Sequence, residues 1–284
     1  MIYAQGKLIA IGGAEKKGTE DNKDEHDFFS EGILKRILEE TKKENPHLLV
    51  ITSASEEQEE MGKKYLKAFQ SLGCSNIHIL NIHTPSEADK PVHLDLAKIA
   101  DAVMMTGGDQ SKLVDTIGET DFFRTIRNRF LKEENFVIAG TSAGAAAMPE
   151  HMIVAGDPSE AMIKGSVAIQ KGFNLSDGIL IDTHFVQRGR FGRLTEFLLN
   201  NKGVIGLGLG EDTAVVFTKG KFLETIGSGL VVVIDIGEVT RTNYDIAEAG
   251  DPIFAENIKV HILAKGTFFD LQEKKLSTME LLSQ

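Results

Sequence analysis

The chain has 284 residues, 42% of them hydrophobic, which is enough to bury a sizeable core in one large α/β domain spanning residues 1–284. Its 31 Lys and Arg against 42 Asp and Glu leave a formal net charge of −11, which repels phosphate backbones and anionic lipid and argues against nucleic acid or a membrane as partner. A lone cysteine, Cys74, excludes an intrachain disulfide, so stability rests on packing, as is usual in a reducing compartment such as the cytoplasm.

The opening MIYAQGKLIAIGG has neither the charge pattern nor the long apolar run of an export signal, and no stretch approaches the roughly 20 apolar residues of a membrane helix. KLIAIG at 7–12 reads as the first strand, and the charged EKKGTEDNKDEHD at 15–27 as a solvated loop. Helical spacing follows in SEGILKRILEETKKE at 30–44, then the strand LLVITS at 48–53, the helical EEQEEMGKKYLKAFQSLG and the strand NIHILNI at 76–82. The rhythm continues through ADAVMMTG at 100–107, the helical TDFFRTIRNRFLKE and the strand FVIAG at 136–140. Near-continuous apolar strands between amphipathic helices predict a mainly parallel sheet covered by helices on both faces. Beyond about residue 203, GVIGLGL, TAVVFT, LVVVIDI and KVHILAKGTFFDL come without intervening helical segments, which predicts an antiparallel extension of the same sheet.

Within FVIAGTSAGAAAM at 136–148, Gly140, Ser142 and Gly144 form G-x-S-x-G at a strand-to-helix junction, the pattern of a nucleophile elbow. The N–H of Ala143 would then face a tetrahedral oxyanion, at the amino end of a helix whose dipole favours negative charge. Two other roles fit the same residues: Ser142 as a helix N-cap, and a phosphate-cradling loop. The second lacks both G-x-G-x-x-G and G-x-x-x-x-G-K-[ST].

A nucleophilic serine needs a base and an acid to orient it. His26, His47, His78, His83 and His261 sit in contexts that suit surface or core roles. His184, in ILIDTHFVQRGRFGRL at 179–194, stands where an apolar strand gives way to a polar segment, the end at which open α/β sheets build their sites. GLGLGEDTAVV at 206–216 offers Glu211 and Asp212 as the acid. The order serine, histidine, acid differs from that of α/β-hydrolases. An apolar strand after GLGLG argues against nucleotide binding, and no paired-cysteine or H-E-x-x-H spacing points to a metal.

GTSAGAAAM, TGGDQ at 106–110, DxHFxQRGRxGRL at 182–194 and GEDTA, together with IGGAEKK and ITSAS at 51–55, resemble the cyanophycinases in order and spacing over nearly the whole chain. These are serine exopeptidases related to aspartyl dipeptidases. The resemblance implies a fold like that of class I glutamine amidotransferases (flavodoxin-like), no metal or organic cofactor, and a homodimer. It implies hydrolysis of cyanophycin, a polyaspartate with arginine on each β-carboxyl, or of another β-linked aspartyl peptide, with release of β-Asp-Arg dipeptides. By position, Ser142 matches the nucleophile, His184 the base and Glu211 the acid. Gly108 and Asp109 match the backbone that completes an oxyanion hole with Ala143. Gln110, Asp182, Gln187, Arg188 and Arg193 match positions that line the substrate cleft, with Arg190 a weaker candidate. Thr183 departs from the glutamine that the family commonly carries between the aspartate and the histidine.

Arg188, Arg190 and Arg193 directly follow the expected base, and guanidinium forks suit a substrate with a carboxylate at every residue. If the segment is helical, Arg190 and Arg193 share a face. Asp182 could receive a substrate guanidinium or hold a neighbouring backbone amide. Two further readings remain: an aspartyl or isoaspartyl dipeptidase using the same elbow, and a noncatalytic protein that binds acidic ligands through its arginines.

Overall fold

Strands whose residues are apolar at every position need cover on both faces, and the alternation of side chains decides which residue meets which layer. In β1 (Lys7–Ile11), Leu8 and Ala10 join one hydrophobic layer while Ile9 and Ile11 join the other. β2 (Leu48–Ile51) divides the same way, with Leu49 and Ile51 on the first face and Leu48 and Val50 on the second. The second face is covered by α1 (Ile33–Glu40) and α2 (Gln58–Ser71), which bury Ile33, Leu34, Ile37, Tyr65 and Phe69 against it.

The computed structural model describes residues 4–15, 32–157 and 162–277. After β3 (Ile77–Leu80) come the short α3 (Pro85–Ala88), α4 (Pro91–Ile99) and β4 (Ala102–Met105). Asp109 caps α5 (Gln110–Ile117) by accepting from the N–H groups of Ser111 and Lys112, and Thr120 caps α6 (Asp121–Lys132) by accepting from Phe123 N–H. These two helices cover the first face through Leu113, Ile117, Phe122, Ile126 and Phe130. β5 (Val137–Thr141) then lies between β1 and β4, parallel to both.

One turn of helix, α7 (Ala143–Ala146), leads to a hairpin of β6 (His151–Ala155) and β7 (Ala168–Lys171), which the apolar rhythm did not predict. β8 (Ile179–Asp182), α8 (Phe191–Asn200) and β9 (Ile205–Leu209) form a strand–helix–strand unit with parallel strands. The remaining strands are β10 (Thr213–Thr218), β11 (Phe222–Gly227), β12 (Val231–Asp235), β13 (Arg241–Thr242), β14 (Ala255–Glu256), β15 (Lys259–Leu263), β16 (Phe268–Asp270) and β17 (Lys275–Ser277).

The nine-stranded sheet has the order β17-β16-β11-β10-β1-β5-β4-β2-β3. Its five strands from β1 to β3 are parallel, and β10, β11, β16 and β17 extend it antiparallel. The expected α/β architecture with antiparallel C-terminal strands is therefore present. The expectation of one continuous sheet needs correction, because β9, β12 and β15 leave it and join β8 in a second sheet of order β15-β12-β9-β8. The glycines of β9 make this possible. A β-carbon at Gly206 would lie 2.9 Å from a Leu198 methyl, and one at Gly208 would overlap the Phe185 ring. Bare backbone at both positions lets α8 and the segment after β8 close on β9. The chain then crosses between sheets at residues 210–212, since β9 belongs to the small sheet and β10 pairs with β1 in the large one.

One apolar core spans both sheets, with Leu8, Ile138 and Phe269 joined to Leu207, Val231, Val233 and Leu263. Glu40 on α1 bonds Lys7 of β1 and, at 2.6 Å, Arg36, which also reaches Glu224 of β11 at 2.6 Å. The charged stretch expected as a solvated loop falls outside the described residues from 16 to 27, but its first residue contradicts the expectation. Glu15 is buried, accepting hydrogen bonds from Thr141 and Tyr65. Cys74 is buried at the end of α2, where burial pushes its thiol up and Pro46 O accepts its S–H at 3.5 Å. Among the described residues no helix is long and apolar enough to cross a membrane.

Candidate active site

β5 ends at Thr141, and Ser142 turns the chain with φ 50° and ψ −111°, a conformation rare for a non-glycine residue. The motif glycines permit the turn. A β-carbon at Gly140 would meet the Gly144 backbone at 2.6 Å, and one at Gly144 would press on the Met105 backbone. Ser142 occupies the N-cap position of α7, yet its side chain makes no capping hydrogen bond. The hydroxyl Oγ lies 3.0 Å from His184 Nε2 instead. The expected dipole contribution shrinks, because α7 has only four residues and a macrodipole needs aligned turns. Any stabilisation of negative charge at this end falls to individual N–H groups.

His184 stands two residues beyond β8, also at positive φ, 48°. Its Nδ1 lies 2.7 Å from Glu211 Oε1, and the Glu211 N–H donates to Gln187 Oε1 at 3.2 Å. Of the two acids the sequence offered, Glu211 faces the imidazole, while Asp212 accepts from the Ser228 hydroxyl at 2.5 Å. Ser142, His184 and Glu211 thus form one hydrogen-bonded line, although they come from the ends of β5 and β8 and from the crossing between sheets.

The end of β1 joins these segments. Ile11 O accepts from Ser142 N–H at 3.0 Å, Gly12 O from His184 N–H at 2.9 Å and Gly13 O from Asp212 N–H at 2.8 Å. Gly13 has φ 104°, and a β-carbon there would overlap the His184 ring, so glycine is required both by the backbone and by the imidazole. The reading of the serine, histidine and acid motifs missed Gly12, Gly13, Glu15 and Thr141 as parts of the site. The available signal was IGGAEKK at the end of the first apolar strand, which the fold pairs in parallel with the strand that leads to Ser142.

The TGGDQ turn faces Ser142: a β-carbon at Gly107 would sit 3.4 Å from Ser142 Cβ and 3.9 Å from Oγ. Gly108 has φ 141° and packs so tightly on the Ala54 carbonyl that no β-carbon fits. Asp109 needs correction as an oxyanion donor. Its N–H donates to Ala54 O at 2.9 Å and its carboxylate caps α5, so both polar groups are engaged.

The arginine cluster is arranged differently from expectation. Arg193 forks onto Asp182, with Nε 2.7 Å from Oδ2 and Nη2 bonded to Oδ1, and both side chains are buried, at 8% and 2% exposure. Arg190 Nη1 bonds Asp182 Oδ1 at 3.2 Å and Thr183 O at 2.6 Å. Burial draws the Arg190 guanidinium below its ordinary value, against the opposing pull of Asp182. Asp182 also accepts from Thr183 N–H at 2.9 Å. Asp182 and Arg193, expected to bind substrate, bind each other, because two buried charges are far less costly paired than single. The pair fixes the β8–α8 junction on which His184 stands. Arg188 and Gln187 are exposed beside His184. Gln110 reaches across to β6, donating from Nε2 to Ile153 O at 2.8 Å.

The sequence profile of peptidase family S51 matches residues 8–225, a span that contains every member of this site. A cyanophycinase of Geminocystis herdmanii is 31% identical over 93% of this chain and 93% of its own. A cyanophycinase of Trichormus variabilis is 30% identical over 94% of this chain and 86% of its own. The crystal structure of a peptidase from an acI-B1 Actinobacterium shares the fold, with a TM-score of 0.66 and 19% identity over 95% of this chain and 99% of that one. Profile, relatives and fold agree over nearly the whole length: the chain belongs to peptidase family S51, the family of the cyanophycinases, and is a serine peptidase.

Proposed function

We propose that Ser142, His184 and Glu211 act as a catalytic triad that hydrolyses cyanophycin from one end, releasing β-Asp-Arg dipeptides. The observation that carries the reading is the hydrogen-bonded line from Ser142 Oγ through the imidazole to Glu211. In the productive tautomer His184 carries its proton on Nδ1, donates a hydrogen bond from it to the Glu211 carboxylate, and offers the Nε2 lone pair to the serine. Ser142 Oγ attacks a backbone carbonyl carbon of the substrate while Nε2 takes the hydroxyl proton. The resulting oxyanion lies between the backbone N–H groups of Ala143 and Gly108. As the C–N bond breaks, Nε2 returns the proton to the leaving amine; a water deprotonated by the same nitrogen then attacks the acyl carbon, and Nε2 passes that proton to Ser142 Oγ as the acyl–oxygen bond breaks.

Substrate preference rests on charge. With Asp182 occupied by its two arginines, exposed Arg188 is the guanidinium beside His184 that this reading assigns to a substrate carboxylate, with Gln187 and Gln110 as further substrate contacts. Residues 1–284 act on this reading as a single hydrolytic domain; the family resemblance supports a homodimer, which sedimentation velocity tests, and the lone Cys74 suits the cytoplasm.

Digestion of purified cyanophycin, with products identified by mass, tests the activity: β-Asp-Arg is expected. Cleavage of Asp-X dipeptides with the polymer left intact would make the chain a dipeptidase. Binding of polyaspartate with neither turnover nor covalent labelling of Ser142 by a fluorophosphonate would reject catalysis altogether.

A further inference from the structure

Ser142 holds a strained backbone, and strain of this kind persists only where the surroundings over-determine it. On one side the restraint is the Ile11 carbonyl that accepts the Ser142 N–H. On the other it is a side chain. Thr141, the residue before the nucleophile, donates its hydroxyl to Glu15 Oε2 at 2.6 Å. The second carboxyl oxygen, Oε1, accepts from the Tyr65 phenol of α2. All three side chains are buried, Glu15 at 4%, Tyr65 at 1% and Thr141 at 4% exposure.

Burial, reinforced by the neighbouring carboxyl, pushes the Tyr65 phenol well above its ordinary value, so it stays protonated and remains a donor. Among the described residues the carboxyl group therefore accepts with both oxygens, from donors on different elements. Glu15 itself lies two residues beyond Gly13, which seats the His184 ring. One side chain thus ties the loop under the imidazole to the strand end that presents the serine.

We propose that Glu15 is a positioning residue of the peptidase: its carboxyl group, shared between Thr141 and Tyr65, locks the last residue of β5 to the β1 loop and so holds Ser142 in reach of His184. The proposal rests on Ser142 and His184 being nucleophile and base. Glu15 touches neither substrate nor the reacting atoms, and it acts through Thr141. A glutamine at this position offers one acceptor oxygen in place of two, so Glu15→Gln leaves one of the two hydroxyls without its acceptor. Thr141→Val removes the donor that faces the nucleophile, whereas Thr141→Ser keeps it.

The test measures kcat and KM on cyanophycin and the rate at which a fluorophosphonate labels Ser142, a readout that does not depend on the identity of the substrate. Glu15→Gln and Thr141→Val are each expected to lower kcat and the labelling rate by about tenfold or more with KM within about twofold, since binding groups are untouched. The combined variant is expected to lose less than the product of the two single losses, because both act on the same Glu15–Thr141 link. Thr141→Ser should recover most of what Thr141→Val loses. Rates within about twofold of the unmodified chain, losses confined to KM, or losses that multiply in the combined variant would overturn the proposal. If Glu15→Gln does not fold, the comparison of Thr141→Val with Thr141→Ser decides alone. Failure of the underlying reading looks different: Ser142→Ala would stay active and Ser142 would go unlabelled in the unmodified chain.

Discussion

On the proposed mechanism the Ser142 hydroxyl, 3.0 Å from His184 Nε2, gains nothing from a histidine in the wrong tautomer, and Glu211, 2.7 Å from Nδ1, is the group placed to select the right one. Glu211→Gln preserves size but lets the amide face Nδ1 with either a donor or an acceptor. The expected result is a fall in kcat of about 10³–10⁴-fold with KM little changed, read from steady-state kinetics on the polymer. Gly13 gives a second residue-scale prediction. With φ at 104° and the imidazole where a β-carbon would go, Gly13→Ala must move the ring or the loop. A loss of about 100-fold or more in kcat is expected, with a stability cost of about 1–3 kcal/mol measured by urea unfolding. At this scale the motifs in the sequence pointed to Ser142 and His184, which the fold brings within hydrogen-bond reach, since small residues around a serine and a histidine at a strand end are local patterns. The role of Asp182 and Arg193 was not legible, because whether two charged residues eleven positions apart meet each other or a ligand depends on the depth at which the fold leaves them.

At the scale of elements, α1 is held to the large sheet by the ion-pair chain of Lys7, Glu40, Arg36 and Glu224. Burial alone would push the Glu40 carboxyl up, but the hydrogen bonds and charges of Lys7 and Arg36 outweigh it and hold it below the ordinary glutamate value. The unfolded chain therefore binds this proton more readily than the folded one. The stabilisation is fully present above the unfolded glutamate value of about 4.3 and disappears as pH falls through the lowered folded value. Glu40→Gln should cost about 2 kcal/mol at pH 7, a figure reduced by the partial exposure of both cations, and the gap from the unmodified chain should narrow below about pH 4. Urea denaturation at several pH values measures both. The helices and parallel strands were legible because their apolar periods of 3.6 and of continuous runs are properties of consecutive residues. The partition of the later strands was not: β9, β10 and β12 share one apolar texture, and it is the pairing with β8, with α8 seated on Gly206 and the Phe185 ring on Gly208, that sets β9 in the small sheet.

For the whole molecule, the decisive feature is that one core joins both sheets and that the crossing between them carries Glu211. Two sheets sharing Leu207, Val231 and Leu263 with Leu8 and Ile138 should unfold together. We expect one cooperative transition with coincident midpoints for backbone circular dichroism and for Ser142 labelling of the folded fraction. Gly208→Ala, which drives a methyl into the Phe185 ring beside His184, should shift that single midpoint and lower activity in parallel. Two separated transitions would contradict the single-domain reading. Local spacing sufficed for the alternation of strands and helices up to β5, the elbow around Ser142 and the candidates His184 and the Glu211–Asp212 pair, of which the family resemblance singled out Glu211. Only the tertiary structure decided which sheet each late strand joins, that Asp182 satisfies Arg193, that Asp109 spends its amide on Ala54, and that Glu15 lies inside. Periodicity and motif are written in neighbouring residues, whereas pairing and the burial of charge are settled between residues far apart in the chain.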